Sequence, residues 1–452
     1  MSNLRVIAGI DDASAPHSIQ AHLLSDDLDG ADRSLVTSAV LHGLDTDGSG
    51  NYNDVQVTPY GALSVRLIED QIGLDASGRV RIGQLTTLAD LKTLNADDTL
   101  LLENTGTGTG VFSINKYSMS VTSGQYLIRR SYRYYPYFSG KSQQVEFTFD
   151  SFQPEANVTK RAGYFSSNAV APYDTDKDGV WLESAGGIVT LKIARAGTET
   201  LSVAQSAWNY DALAGHDWSA FNVCLIDYLW LGGAVLRLFV KTADGFTLCH
   251  VFNYASSAAD TFMQSPNHSV RFEIRSTTGS GSMRAICSQV STEGSTLEAG
   301  KQFSINTGST PIVLALVGTT YPVIGIRKRS GFRDNVVKVT DMAGFVSSNT
   351  DALLITLQLN PTLSAPLTYS AVTNTAFESA SGNGVITVTT PGTLISSAYL
   401  SQNNILPTGI LEDDFLSMLG ISIGNVSDEI IACATPITAT VGTLMSLDLK
   451  QY

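Results

Sequence analysis

Residues 223–240 read VCLIDYLWLGGAVLRLFV, and the class of the fold turns on how this run is read. Its length and apolarity approach those of a membrane-spanning helix. Asp227, Gly232, Gly233 and Arg237 interrupt it, however, and the Gly-Gly pair sits at its centre. The run therefore reads as two core strands joined by a tight turn.

Working outward, short segments of period-two patterning recur with turn residues between them. They lie at 110–114, 118–121, 143–149, 180–183, 188–194, 221–230, 235–241, 248–254, 270–275 and 283–290. About ten strands in some two hundred residues make a sandwich or jelly roll, because one open sheet of that size would curl or split. This large domain spans 95–295. The polar segment STEGSTLEAGKQFSIN reads as a linker. A smaller β domain fills 296–452, with strands at 312–316, 323–328, 336–340, 353–359, 384–389, 430–434 and 443–449, and with Pro361, Pro366, Pro391 and Pro407 marking its loops.

Residues 1–94 have a different texture. DDASAPHSIQAHLLSDDLDGADRS is polar and unpatterned, as expected of an arm that orders against a neighbour. Val55 and Val57 alternate before the turn Pro59-Tyr60-Gly61, and Leu63, Val65 and Leu67 alternate after it, which makes a hairpin and a docking element. A short strand is expected at 78–82 and an amphipathic helix over 85–94. The fold class is therefore all-β: two tandem β-sandwich domains preceded by an extended N-terminal arm and hairpin.

Composition excludes several functions. The 452 residues are 43% hydrophobic and only 15% charged, with 28 Lys and Arg against 42 Asp and Glu, a net charge of −14. That balance repels a phosphate backbone, so nucleic acid is not an expected partner. No basic-plus-apolar leader opens the sequence and no uninterrupted apolar span follows, so no membrane partner is expected either. Cys224, Cys249, Cys287 and Cys433 sit in strand-like contexts without CxxC spacing, and read as buried free thiols suited to assembly in a reducing cytoplasm.

Catalytic motifs are weak throughout. Gly140-Lys141-Ser142 lacks the glycine that a phosphate loop needs five residues earlier, where Tyr135 stands. The six histidines are scattered, and Glu146, Asp150 and Glu183 are ordinary for an acidic sandwich. A non-enzyme is expected, with no cofactor except a calcium candidate. In that candidate Asp174, Asp176 and Asp178 precede Gly179 as DxDxDG, placing alternate carboxylates around a hard cation, although Ala185 occupies the place of the bidentate glutamate. Asp45, Asp47 and Ser49 make a weaker copy. The densest unusual feature is Tyr132, Tyr134, Tyr135, Tyr137 and Phe138 beside Arg129, Arg130 and Arg133. Three readings remain open for it: a strand filling the sandwich, a subunit interface, or a glycan platform.

The strings YYPYFSGKSQQVEFTFD, NVTKRAGYF and GVWLES together resemble a family of tailed-bacteriophage virion structural proteins of tail-fibre-like type. The match covers 140–144, 157–165 and 179–183; VTPYGALSV, PIVLALVGTTYPVIGIRKR and NVSDEIIACATP add to it. The resemblance implies a lectin-like sandwich at the centre, a place in the virion after assembly in the host cytoplasm, and a homo-oligomer, a trimer favoured, contacting other virion proteins. A fibre, collar or baseplate component is the first expectation. A lectin reading host surface glycan and a capsid decoration protein are the alternatives. The inserted DTDKDG departs from the family pattern, so the resemblance transfers no loop function.

Overall fold

A computed structural model of the protein describes residues 42–44, 52–54 and 73–452, apart from 77, 82, 244, 256–259, 295–299, 348–351 and 402–414. The chain divides into two compact units, Met1–Gln71 and Ile72–Tyr452. In the first, His42–Leu44 pairs antiparallel with Tyr52–Asp54. The docking hairpin expected from Val55, Val57, Leu63 and Val65 lies outside the described residues.

The second unit is all-β, with only 3-10 turns such as Gln205–Ala207 among its described residues. Residues 223–240 form the expected hairpin: Asn222–Leu229 pairs with Val235–Thr242, from Cys224↔Val240 to Leu229↔Val235. Gly232 closes it at φ +83°, a conformation that disfavours any side chain. These strands belong to an eight-stranded sheet in the order Gly245–Asn253, Val235–Thr242, Asn222–Leu229, Gln143–Asp150, Gly281–Glu293, Lys116–Val121, Thr109–Ser113, with Leu85–Lys92 also pairing Gly281–Glu293. It packs on a seven-stranded sheet in the order Thr198–Ala204, Ile188–Arg195, Asp178–Ala185, Val158–Ser166, Val270–Ser276, Tyr126–Ser131, Leu102–Gly106. Alternate residues of each strand meet in one core. Val145, Phe147, Phe149, Cys224, Ile226 and Leu238 face Ala162, Tyr164, Leu182, Leu191 and Ile274.

The helix expected over 85–94 is a strand. Leu85–Lys92 lies against Gly281–Glu293 with a bulge opposite Val290/Ser291. The extra residue breaks strict alternation, so Leu88, Ala89 and Leu91 are all buried and the spacing imitates a helical face. The first sandwich thus begins ten residues before 95. The strand expected at 78–82 is a single bridge, Leu74↔Val80. Three cysteines are buried as free thiols, but Cys287 is exposed.

The second sandwich is smaller. One sheet has four strands, in which Val441–Gln451 pairs with Lys301–Asn306, Ile312–Leu314 and Val337–Val346. A six-stranded sheet faces it in the order Ser370–Ala371, Phe377–Ser381, Tyr321–Lys328, Glu429–Pro436, Ala352–Leu359, Thr393–Ser401.

A buried polar seam joins the two sandwiches. Arg130 donates to Glu103 at 2.5 Å, to Tyr134 at 3.3 Å and to the carbonyl of Ile421. Glu103 in turn accepts the Ile423 amide at 2.7 Å. Arg133 donates to the carbonyls of Met418 and Leu100, and the Ile421 amide donates to Tyr132 O. Val336, Met418 and Ile421 extend the core of the first sandwich, and Tyr452 packs edge-on against Phe138. Lys328 is buried in the same seam. Its ammonium donates to Arg333 O at 3.1 Å and lies 5.4 Å from the Tyr134 ring. Burial lowers its pKa to about 7, with Arg130 and Arg133 pushing the same way and Asp334 and Asp428 opposing.

Two outcomes are expected. Removing one partner of a buried ion pair costs about 3–5 kcal/mol, so Arg130→Met should lower the urea-unfolding free energy by that order, and the double variant with Glu103→Met should recover much of it. An unchanged single variant would show that the seam is not closed in solution. Lys328 is neutral in the fold but charged when unfolded between about pH 7 and 10.5, so its share of stability rises with pH across that window. Lys328→Met should therefore exceed the wild type at pH 7, and the gap should narrow steadily as pH rises towards 10.5.

Candidate functional site

The loop between Val158–Ser166 and Asp178–Ala185 carries the acidic turn and folds over the outer face of the seven-stranded sheet. Its backbone is held from below: Arg271 donates to Tyr173 O at 2.9 Å and to the Ser167 hydroxyl at 2.7 Å, and Arg275 donates to Pro172 O at 2.6 Å. The expected calcium loop does not form. Asp178 accepts the amides of Gln264, Ser265 and Ala196 at 2.7, 2.9 and 3.2 Å. Asp174 faces Arg161 at 3.0 Å, Arg275 at 3.3 Å and the Lys177 ammonium. Asp176 turns away at φ +54°, where the Thr175 hydroxyl donates to it at 3.3 Å. Cationic side chains hold Asp174 and amides hold Asp178, where a cation would bind. Among the described residues, no three His, Cys, Asp or Glu side chains converge on one point.

Beneath this loop runs a cross-strand charge ladder. Glu183 pairs across to Arg161, and Arg161 across to Glu273. Glu273 is fully buried and accepts from Arg161 at 2.6 Å, Arg271 at 2.5 Å and Arg275. Burial pushes its carboxyl up, but the three guanidiniums outweigh that and hold it well below the usual carboxylate range. One row along, Trp181 pairs with Gly163, whose missing side chain leaves room for the tryptophan: a Cβ there would sit 2.6 Å from Trp181 Cα. The indole rests against Phe165, ring centres 5.1 Å apart, and is only 2% exposed. Its N–H has no acceptor.

Two cavities open here. One, of about 480 Å³, is lined by Trp181, Arg161, Lys177, Glu183, Lys192 and Glu199 among others. The second, of about 330 Å³, is lined by Tyr134, Asn168, Asp178, Gln264, Arg333 and Asn425 among others. Asp176 and Ala196 line both, so the two share a wall.

The aromatic cluster takes another role. Arg133, Tyr134 and Tyr135 are buried, and the hydroxyl of Tyr135 is pushed up to about 12 by that burial. Tyr132 and Tyr137 are half-buried, and Tyr137 stacks on Tyr228 at 5.8 Å. The expectation of a platform for a second subunit or a glycan is therefore corrected for Arg133 and Tyr135, which spend their contacts inside the chain; Tyr134, though buried, lies in the lining of the second cavity. Gly140-Lys141-Ser142 is likewise an anchor. The Ser142 hydroxyl donates to buried Asp227 at 2.6 Å and accepts the Ala76 amide at 3.2 Å, while Arg81 and Arg237 neutralise Asp227. Trp181, Arg161, Lys192 and Glu199 escaped the sequence reading, because partners 22 and 112 residues apart make the ladder. Their only local signal is a tryptophan flanked by a strand-borne acid.

No family model matches the chain, and no curated protein matches it. Solved structures do show likeness over slightly under half of it. The carbohydrate recognition domain of Emp47p is 10% identical over 47% of this chain and 98% of its own, with a TM-score of 0.33. A β-glucanase of Bacillus licheniformis is 13% identical over 46% and 99%, with a TM-score of 0.30. A legume lectin-like domain from Entamoeba histolytica is 9% identical over 45% and 97%, also at 0.30.

The ladder predicts an acid limb of stability. A carboxyl held below its ordinary 4.5 contributes stability that is complete above that pH and is lost as pH falls towards the folded value. Glu273→Gln should be less stable than wild type at pH 7 by about 3–5 kcal/mol. The difference should shrink steadily in urea melts between pH 4.5 and pH 2; a constant gap would mean the carboxylate is not ion-paired.

Proposed function

We propose that the chain is a non-enzymatic structural component of a tailed-phage particle, an oligomeric appendage protein of fibre, collar or baseplate type. The observation that carries this reading is the seam. Arg130, Arg133 and Glu103 weld the two sandwiches through buried hydrogen bonds, so that residues 72–452 act as one stiff body, as a projecting scaffold requires. The sequence motifs that resemble virion proteins support it further. They fall on the framework: Ser142 on Asp227, Arg161 on Glu273 and Glu183, and the Trp181 strand between them. Short sandwich strands with uncovered edges also favour a closed symmetric assembly, which covers such edges. A second reading, a module that reads surface glycan, is favoured by the paired polar cavities on the outer face of the seven-stranded sheet.

Antibody raised against the full chain should place gold on the neck or tail of particles of the phage that encodes it. Gold over the head would make it a decoration protein. No label on intact or denatured particles would remove the virion reading. Light scattering of the purified protein should give three monomer masses.

A further inference from the structure

We infer that the two adjacent cavities together bind a neutral glycan, with the cavity over Trp181 seating one sugar ring. The inference rests on the glycan reading and is independent of any place in a particle. Three observations carry it. First, the walls over Trp181 are charge-balanced within the cavity. Arg161 is paired with Asp174 and Glu183, Lys177 with Asp174, and Lys192 with Glu183 and Glu199. A charged ligand would have to break one of these pairs. Hydroxyl groups accept from the ammonium and guanidinium edges and donate to the carboxylates, so an uncharged polyol adds bonds without displacing any. Second, Trp181 lines this cavity, and its indole N–H is buried and has no acceptor. Buried donors are nearly always satisfied, and a hydroxyl oxygen at the cavity floor would satisfy this one. Lys192 stands directly across the strand pair from Trp181, and a shift of its side chain would open the N–H to the cavity. Third, the second cavity lies directly against the first, with Asp176 and Ala196 in the lining of both, and there Asn168, Gln264, Asn425 and Arg333 supply amide and guanidinium groups. Each cavity lies within the range of small-ligand sites, so the pair suits more than one ring.

The test is binding of the full chain to immobilised two- to six-unit oligomers of glucose, galactose and mannose, with sialylated and sulfated oligosaccharides alongside, followed by titration calorimetry on the best neutral binder. Two variants are compared. Glu199→Gln lies at the half-exposed rim, and Trp181→Phe deletes the N–H but keeps a ring. The expected result is binding to neutral oligomers that Glu199→Gln weakens tenfold or more at an unchanged melting temperature, with Trp181→Phe weakening it at least as much if it folds. Glu199→Gln binding as tightly as wild type would overturn the two-cavity site while leaving the glycan reading in place. Binding confined to sialylated or sulfated glycans would overturn it as well. No binding to any glycan would remove both.

Discussion

A guanidinium sealed away from water must find acceptors, because it cannot lose its proton and its planar fork accepts only a few geometries. Arg130 meets that demand from both sandwiches at once: Glu103 and Tyr134 from the first, the Ile421 carbonyl from the second. Apolar contact alone would let the two β domains slide. The directional bonds fix the 418–423 segment against the Leu102–Gly106 edge, and Glu103 locks it again through the Ile423 amide. Met418 and Ile421 can then enter the first core, and Arg133 can reach Met418 O. The seven-stranded sheet is thus covered at one end by the second sandwich and, further along, by the loop that carries the acidic turn.

That covering explains why charge is placed as it is. In a chain with few charged residues, Arg130, Arg161, Arg271, Glu103 and Glu273 all sit on the outer face of one sheet, and most are buried. Each is paid for by partners on adjacent strands rather than by water. The arrangement selects a single register, since a one-residue slip would turn the whole ladder towards the hydrophobic interior. The same pairing leaves the walls of the Trp181 cavity rich in hydrogen-bonding groups yet balanced in charge.

Much of the fold was legible because burial writes itself into local pattern. Residues 223–240 read directly as a hairpin, and the alternation in Gln143–Asp150 and Ile188–Arg195 reflects two faces of unlike polarity. Legibility failed where a distant partner altered the local code. The Leu85–Lys92 strand carries a bulge that disguises its period. Tyr126–Ser131 carries two adjacent arginines that read as surface, yet Arg129 pairs with Asp97 and Arg130 with Glu103, both far along the chain. Asp174, Asp176 and Asp178 have the spacing of a cation loop, but spacing cannot reveal that Arg161 and Arg275 arrive from neighbouring strands to join Lys177 of the same loop on Asp174.

The uneven burial of the four cysteines has a practical corollary. Burial pushes the thiols of Cys249 and Cys433 up to about 12 and raises that of Cys224 well above its ordinary value, which keeps them protonated and unreactive at neutral pH, whereas Cys287 stands on the surface. A maleimide dye therefore attaches at one place per chain. The brightness of a single labelled assembly, divided by that of one dye, then counts its subunits directly.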